Sequence, residues 1–481
     1  MFSLTPSLAL SVQRAVGALG VGLADKVAEV VPGKATVASA TLSDRLGVFE
    51  GYVGVFLISF FVTLLMTPIL RRLAIANGVI DRPSDPRKIH KFPVAYLGGV
   101  GVFLGIVGGI FFSLLAMRYK WMDFHPSVHT VAGLVDQMPV PWSVLLGMLV
   151  ITLVGVIDDM KGISPRVKIG GQLFAAACLA YDTVGVRLAA GVIIPVAKAV
   201  GLPLTIIMQG DVPIETVAFH IPGTGLPIDV VYWAGTAIIG ISVVALCNAA
   251  NLIDGLDGLL SGTTAISATG ILIIALGMAV ADDGPRDTQR LVLCLAVIGA
   301  CMGFLPHNFN PATIFLGDAG SLLLGFCMCV LILSLGDTGK THLVAAGLIA
   351  FLLPILDTAL AIVRRKMEGK PISAADDQHL HHQLKRALGV KRAVLVLYFI
   401  AFCFAGLAAL LTLGRARLVY LLATVLVSYI GVTAIKIARR KHLEQQMLLK
   451  EAGLAPSVPV LATPMPAADP THPVAQAAAK Q

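Results

Sequence analysis

The chain has 481 residues, 57% of them apolar and only 13% charged, with a mean hydropathy of +0.85. A soluble domain carries roughly 25% charged residues, so there is too little charge here to coat a water-facing surface, and disorder, a coiled coil and a disulfide-stapled scaffold are excluded for want of polar excess, heptads or dense cysteine. The net charge of +8 fits the basic cytoplasmic loops of a polytopic membrane protein better than a nucleic-acid partner, because no basic groove interleaved with aromatics is visible.

Residues 1–46 set Arg14, Asp25, Lys26 and Glu29 in a moderately apolar pattern and are expected to lie along a membrane interface. A spanning helix needs about 20 apolar residues. Eleven stretches qualify, giving an all-α polytopic body over 47–440: 48–70, 95–117, 142–157, 168–186, 229–249, 259–280, 289–305, 318–336, 342–363, 393–413 and 418–437. Residues 441–481, rich in proline and alanine, are expected to form a disordered cytoplasmic tail. Lys and Arg concentrate in the loops after the first, third and ninth spans and in this tail, which predicts an N-terminus outside and a C-terminus inside. The seven cysteines lie in apolar runs without a CxxC pair and read as buried thiols.

On this map the unusual polar residues fall at one membrane face. Asp158 and Asp159 end the third span in VGVIDDMKG, with Lys168 opening the next. Adjacent carboxylates repel, which suits a divalent cation or a proton-accepting role, although two solvated acids at a helix end would look the same. The segment CNAANLIDGLDG places Asn248, Asn251, Asp254 and Asp257 around Gly255 and Gly258, more carboxamides and carboxylates than a connector needs. In NFNPATIFLGDAGS, Asn308, Asn310 and Phe315 precede Asp318, which opens a helix as a cap, a ligand or both. Hard oxygen donors from several loops with no dedicated cage favour Mg²⁺ shared with substrate phosphates. The loop ending DDQHLHHQLKRALG combines cations with His379, His381 and His382, a composition suited to a diphosphate, whereas its spacing is poor for zinc. Arg87 and His90 add a basic patch in the first cytoplasmic loop. Asp357, seven residues inside Arg364, is expected to find a partner within the bundle.

These five segments, in this order, resemble the polyprenyl-phosphate N-acetylhexosamine-1-phosphate transferase family over roughly residues 48–437. The form ADDQHLHHQL resembles the branch using UDP-N-acetylglucosamine-type donors more than the phospho-MurNAc-pentapeptide translocase branch. The resemblance implies transfer of an N-acetylhexosamine-1-phosphate from a UDP-sugar to a membrane polyprenyl phosphate such as undecaprenyl phosphate. It further implies that UMP is released at the cytoplasmic face of a bacterial inner membrane, to initiate envelope polysaccharide synthesis. Mg²⁺ is the implied cofactor, with Mn²⁺ as an alternative, and a homodimer is compatible with the family. Carried over position by position, it implies Asp318, with Asn251 and Asp159, as metal ligands. Asp158, Asp159, Asp318 and Lys168 are then catalytic, and Arg87, His90, Asn248, Asp254, Asp257, Asn308, Phe315, His379, His381 and His382 bind substrate. Asp377 and Gln383 stand where many members carry arginine, and the stretch from Arg187 to Ile228 is long for the family.

An ion-coupled secondary transporter with an acidic cation site is the alternative. Transporters place such sites near the midplane between repeated halves, whereas here a single DGLDG stands at one edge.

Overall fold

The computed structural model describes residues 52–81, 93–119, 121, 139–209, 212–220, 227–281, 286–367, 369, 371, 379–412, 421–433, 436 and 447. The expectations for residues 1–46, for Arg87 and His90, for Asp377 and for nearly all of the 441–481 tail lie outside them. The chain divides into one unit covering Met1–Ser428 and a second covering Tyr429–Gln481, in which the described residues are chiefly the end of one helix.

Helices dominate the first unit, as the long apolar runs require. They are α1 (Val53–Ala76), α2 (Gly98–Arg118), α3 (Trp142–Lys161), α4 (Pro165–Tyr181), α5 (Ala190–Val200), α6 (Val230–Ile253), α7 (Leu259–Val280), α8 (Asp287–Asn308), α9 (Gly317–Ser334), α10 (Thr341–Ala350), α11 (Leu352–Met367), α12 (Leu380–Leu388) and α13 (Val390–Thr412). A shorter apolar helix, α14 (Leu421–Thr433), corresponds to the last expected span. Eight of these helices are long and apolar enough to cross a membrane, or up to ten spans if each of two bent pairs counts as one. The chain is an integral membrane protein.

The difference from eleven even spans has local causes. Between α4 and α5 the backbone turns left-handed at Thr183 and Gly185, and the chain bends by 78°. The same angle separates α10 from α11, where Pro354 lacks the N–H that would continue the hydrogen-bond ladder to Ala350. The stretch beyond Arg187 folds as α5 and two antiparallel hairpins. Strand β1 (Thr205–Gln209) pairs with β2 (Val212–Thr216), and β3 (Ala218–His220) pairs with β4 (Pro227–Asp229). Of the seven cysteines, all free, five are buried and Cys178 and Cys403 are half-buried.

Helix α9 is the centre of the bundle, with 89% of its apolar window buried. Small residues let its neighbours close on it. A side chain at Gly99 of α2 would meet the backbone of Gly320 at 2.1 Å, and one at Gly155 of α3 would meet Ala319 at 2.3 Å. In a membrane, where lipid is as apolar as the helix surface, such backbone approach is a main source of helix association. Its consequence here is positional. The end of α3 that carries Asp158 and Asp159 is pressed against the start of α9.

At the other end of the bundle a buried ionic network pins three turns together. Arg290 and Asp287, both fully buried, form an ion pair, and Arg290 donates to the Ser334 carbonyl at 2.8 Å. Arg286 pairs with Asp337 at 2.8 Å and donates to the Asp182 carbonyl at 2.6 Å, while Asp337 accepts from the Gly185 amide at 2.9 Å.

Candidate active site

The site is assembled around the first turn of α9. Leu316 precedes that helix and offers no side-chain cap. The cap comes from α3, because Asp159 accepts from the Asp318 amide through Oδ1 at 2.8 Å and from the Ala319 amide through Oδ2 at 3.2 Å. A carboxylate on free helix N–H groups is well matched to the positive end of the helix dipole. Gly317 must lack a side chain here: its φ is +69°, and a Cβ would stand 2.5 Å from Asp159 Oδ2.

Asp159 and Asp158 therefore have different surroundings. Asp158 uses Oδ1 to accept from the Ile163 amide at 2.8 Å, closing the α3–α4 turn, and its Oδ2 meets Lys168 Nζ at 2.6 Å. The same ammonium reaches Asp318 Oδ2 at 2.5 Å, so Lys168 bridges carboxylates from α3 and α9. Asn251, near the end of α6, donates to Asp318 Oδ1 at 2.8 Å and to Ser321 Oγ at 3.0 Å. Asp158, Lys168, Asn251 and Asp318, expected from separate segments, are thus joined by direct contacts.

Asp254 follows α6 and has no side-chain hydrogen-bond partner among the described residues. Burial, followed by the charges of Asp318, Asp159 and Asp257, pushes its pKa up to about 8. Like charges thus press this carboxylate toward protonation, an arrangement that a bound cation would relieve. The donor set is hard oxygen, which suits Mg²⁺. Asp318 and Asp158, bridged by Lys168, are carboxylates that could hold it, with Asp254 on the turn after α6. Asp159, expected as a ligand, places both oxygens on the start of α9, while Asp158 and Asp318 likewise engage both of theirs, with the Ile163 amide, Lys168 and Asn251.

Three further expected residues form the frame of this site. Asp257 Oδ2 accepts from Asn310 Nδ2 at 2.8 Å and from the Ala312 amide at 3.0 Å. Asn308 accepts from the Gly258 amide at 3.0 Å and donates to the Ile314 carbonyl at 3.1 Å, stitching the turn after α6 to the loop before α9. Asn248 donates to Gln172 Oε1 at 3.0 Å, linking α6 to α4. Phe315 is half-buried; its amide donates to the Ala95 carbonyl at 2.8 Å, and its ring lies 6.1 Å from that of Tyr96.

The histidine segment borders the same turn. His379 and His381 are buried and both point Nδ1 at Asp357. His381 Nε2 lies so near Gly255 that a Cβ there would meet it at 2.4 Å. His382 is half-buried on α12, and burial, then the charges of His381, His379, Lys385 and Arg386, lower its pKa to about 4, so it is neutral near pH 7.

Sequence reasoning did not single out Tyr96 or Tyr398 as part of this region. Burial, then Asp81, Asp159 and Asp318, raise the Tyr96 hydroxyl well above its usual range, which sets it beside the acidic cluster. Tyr398 donates to the Gly258 carbonyl at 2.5 Å and holds α13 on the turn. These residues carry no motif of their own; their roles come from contacts distant in sequence.

The model of glycosyl transferase family 4 matches residues 141–336, which include α3, α6 and α9. The chain is similar to a Bacillus subtilis (strain 168) protein named probable undecaprenyl-phosphate N-acetylglucosaminyl 1-phosphate transferase, 31% identical over 381 residues, covering 79% of this chain and 90% of that one. It is also similar to the decaprenyl-phosphate N-acetylglucosaminephosphotransferase of Mycobacterium tuberculosis (strain ATCC 25618 / H37Rv), 31% identical over 353 residues, covering 70% and 76%. A phospho-N-acetylmuramoyl-pentapeptide-transferase of Bacillus cytotoxicus is 27% identical over 338 residues, covering 68% and 87%. With the acids, the lysine and the histidine segment gathered at one end of the bundle, the chain belongs to glycosyl transferase family 4, among the polyprenyl-phosphate N-acetylhexosamine-1-phosphate transferases.

Proposed function

We propose that the protein transfers N-acetylglucosamine-1-phosphate from UDP-N-acetylglucosamine to a polyprenyl phosphate and releases UMP, at the cytoplasmic face of a bacterial inner membrane. The basic loops and tail support an N-terminus outside and a C-terminus inside. The observation that carries the reading is the junction of Asp158, Lys168, Asn251 and Asp318 at the start of the most buried helix. That position lies at the end of the apolar bundle, where a lipid phosphate and a water-soluble nucleotide can meet.

Both reactants are anionic, so the barrier is largely one of charge and alignment. An oxygen of the lipid phosphate attacks the phosphorus that carries the sugar. The bond from that phosphorus to the bridging oxygen breaks, and the electron pair leaves with UMP. Lipid phosphate is already ionised near neutral pH, so direct attack needs no covalent enzyme intermediate. Lys168 supplies a fixed positive charge, and Asp159 holds the start of α9, and with it Asp318, in place. Asp318, with Asp158 and Asp254, would hold Mg²⁺, or Mn²⁺ in its stead. Bound there, the ion would neutralise phosphate charge. His379, His381 and His382 border the turn where the diphosphate-sugar is placed.

Purified protein given UDP-N-acetylglucosamine, polyprenyl phosphate and Mg²⁺ should release UMP, and a panel of other UDP-amino sugars should be used less well. Sugar accumulation in proteoliposomes lacking lipid acceptor, with no UMP formed, would instead support the transporter alternative.

A further inference from the structure

We propose that Asp357 is a positioning residue for the histidine segment, its single carboxylate fixing the orientation and the protonated nitrogen of both His379 and His381. This rests on the transferase reading for its consequence in substrate binding, but its geometry stands alone. Asp357 is 1% exposed on α11, and His379 and His381 are 4% and 1% exposed at the start of α12. Oδ2 of Asp357 lies 3.1 Å from His379 Nδ1 and 3.0 Å from His381 Nδ1, while Oδ1 accepts from the Leu380 amide at 2.7 Å. Three consecutive residues are therefore held by one side chain from another helix.

An ionised carboxylate only accepts hydrogen bonds, so both Nδ1 atoms must carry a proton. The hydrogen bond on one ring nitrogen decides the state of the other, which leaves Nε2 as the working nitrogen of each ring. For His381 that nitrogen faces the Gly255 backbone, in the turn that carries Asp254. The rings of His379 and His381 stack with centroids 5.3 Å apart, so turning one disturbs the other.

Asp357, His379 and His381 also have the spacing of a two-histidine, one-carboxylate metal site. The two arrangements differ in a measurable way. A bound metal needs a bare Nδ1 on each ring, whereas the hydrogen-bonded arrangement needs a proton there and accounts for the Leu380 contact as well.

The test is nitrogen NMR of full-length protein carrying ¹⁵N-histidine, assigned with His379→Gln and His381→Gln. Protonated Nδ1 in both rings is the expected result. Asp357→Asn, which keeps shape but loses charge, should move at least one ring to the other tautomer. It should also raise the KM for UDP-N-acetylglucosamine roughly 10- to 100-fold, as expected for loss of a charge-assisted hydrogen bond, and leave the KM for polyprenyl phosphate unchanged. A merely structural role would instead lower kcat through a smaller folded fraction. A bare Nδ1 in wild type, with or without co-purifying zinc, overturns the proposal, as does a folded Asp357→Asn protein with unchanged tautomers and donor KM. If Asp357→Asn fails to fold, the wild-type spectrum still decides. Wild-type protein that releases no UMP refutes the transferase reading, whereas the ring tautomers are read without substrate.

Discussion

Replacing Gly255 by alanine adds a single methyl group between the acidic turn and the histidine segment. The backbone there is not left-handed, so alanine meets no conformational strain of its own. The added Cβ would stand 2.4 Å from His381 Nε2 and 3.0 Å from its Cδ2, whereas ordinary contact begins at 3.4 Å. The ring must retreat by about 1 Å, and the Asp357 hydrogen bond at 3.0 Å resists that movement. Misplacement of a binding group by about 1 Å can reduce a rate on the order of 100-fold, so a loss of that size in kcat/KM for the UDP-sugar is expected. Gly277→Ala is the control, because it lies in α7 with open space around the position. Steady-state UMP release from both variants, with thermal unfolding of each, is the assay. Gly255→Ala with the kcat/KM of Gly277→Ala would refute the placement of His381 at the working turn.

Lys168→Gln should lower kcat at least roughly 100-fold by removing the charge between Asp158 and Asp318, yet reduce the Mg²⁺ concentration needed for half activity, since an ammonium no longer competes with the ion. A higher Mg²⁺ requirement would contradict the arrangement. Arg290→Ala leaves Asp287 buried without its ion pair and should destabilise the protein by about 3–5 kcal/mol, while the folded fraction keeps its KM values; denaturation in detergent checks this. His382 titrates near 4 rather than at its ordinary 6.5, so the fold favours the neutral ring. Its contribution is fully present above pH 6.5 and is lost as pH falls through 4. Wild type should therefore lose more thermal stability than His382→Gln between pH 7 and pH 4, and equal losses would count against the assignment.

Much of this organisation was legible in the chain because hydrophobic runs of spanning length state themselves directly. The bends at Thr183 and ahead of Pro354 were not, since composition there continues to read as apolar. The acids were found by their cost, as carboxylates at a membrane edge call for a partner. Their division of labour was hidden. Asp158 and Asp159 are equivalent as a DD pair, and become distinct only because Gly155 lets α3 touch α9, turning Asp159 to the helix start and Asp158 to Lys168. Gly255 reads as a flexible turn residue, whereas its structural reason is clearance for a histidine more than a hundred positions away. Asp357 likewise stood out as a buried acid needing a partner, but its partners lie across the loop after α11 and only folding names them. Asn308, expected from the resemblance to bind substrate, also ties the turn after α6 to the loop before α9, a contact that only folding names.

The most direct test is UMP release by the purified protein in lipid nanodiscs, with UDP-N-acetylglucosamine supplied and polyprenyl phosphate and Mg²⁺ each present or withheld, compared with Asp318→Asn. Release that requires both lipid phosphate and the ion, and that falls by several orders of magnitude in Asp318→Asn, is the predicted result. Release without lipid phosphate, or full activity in Asp318→Asn, would contradict it.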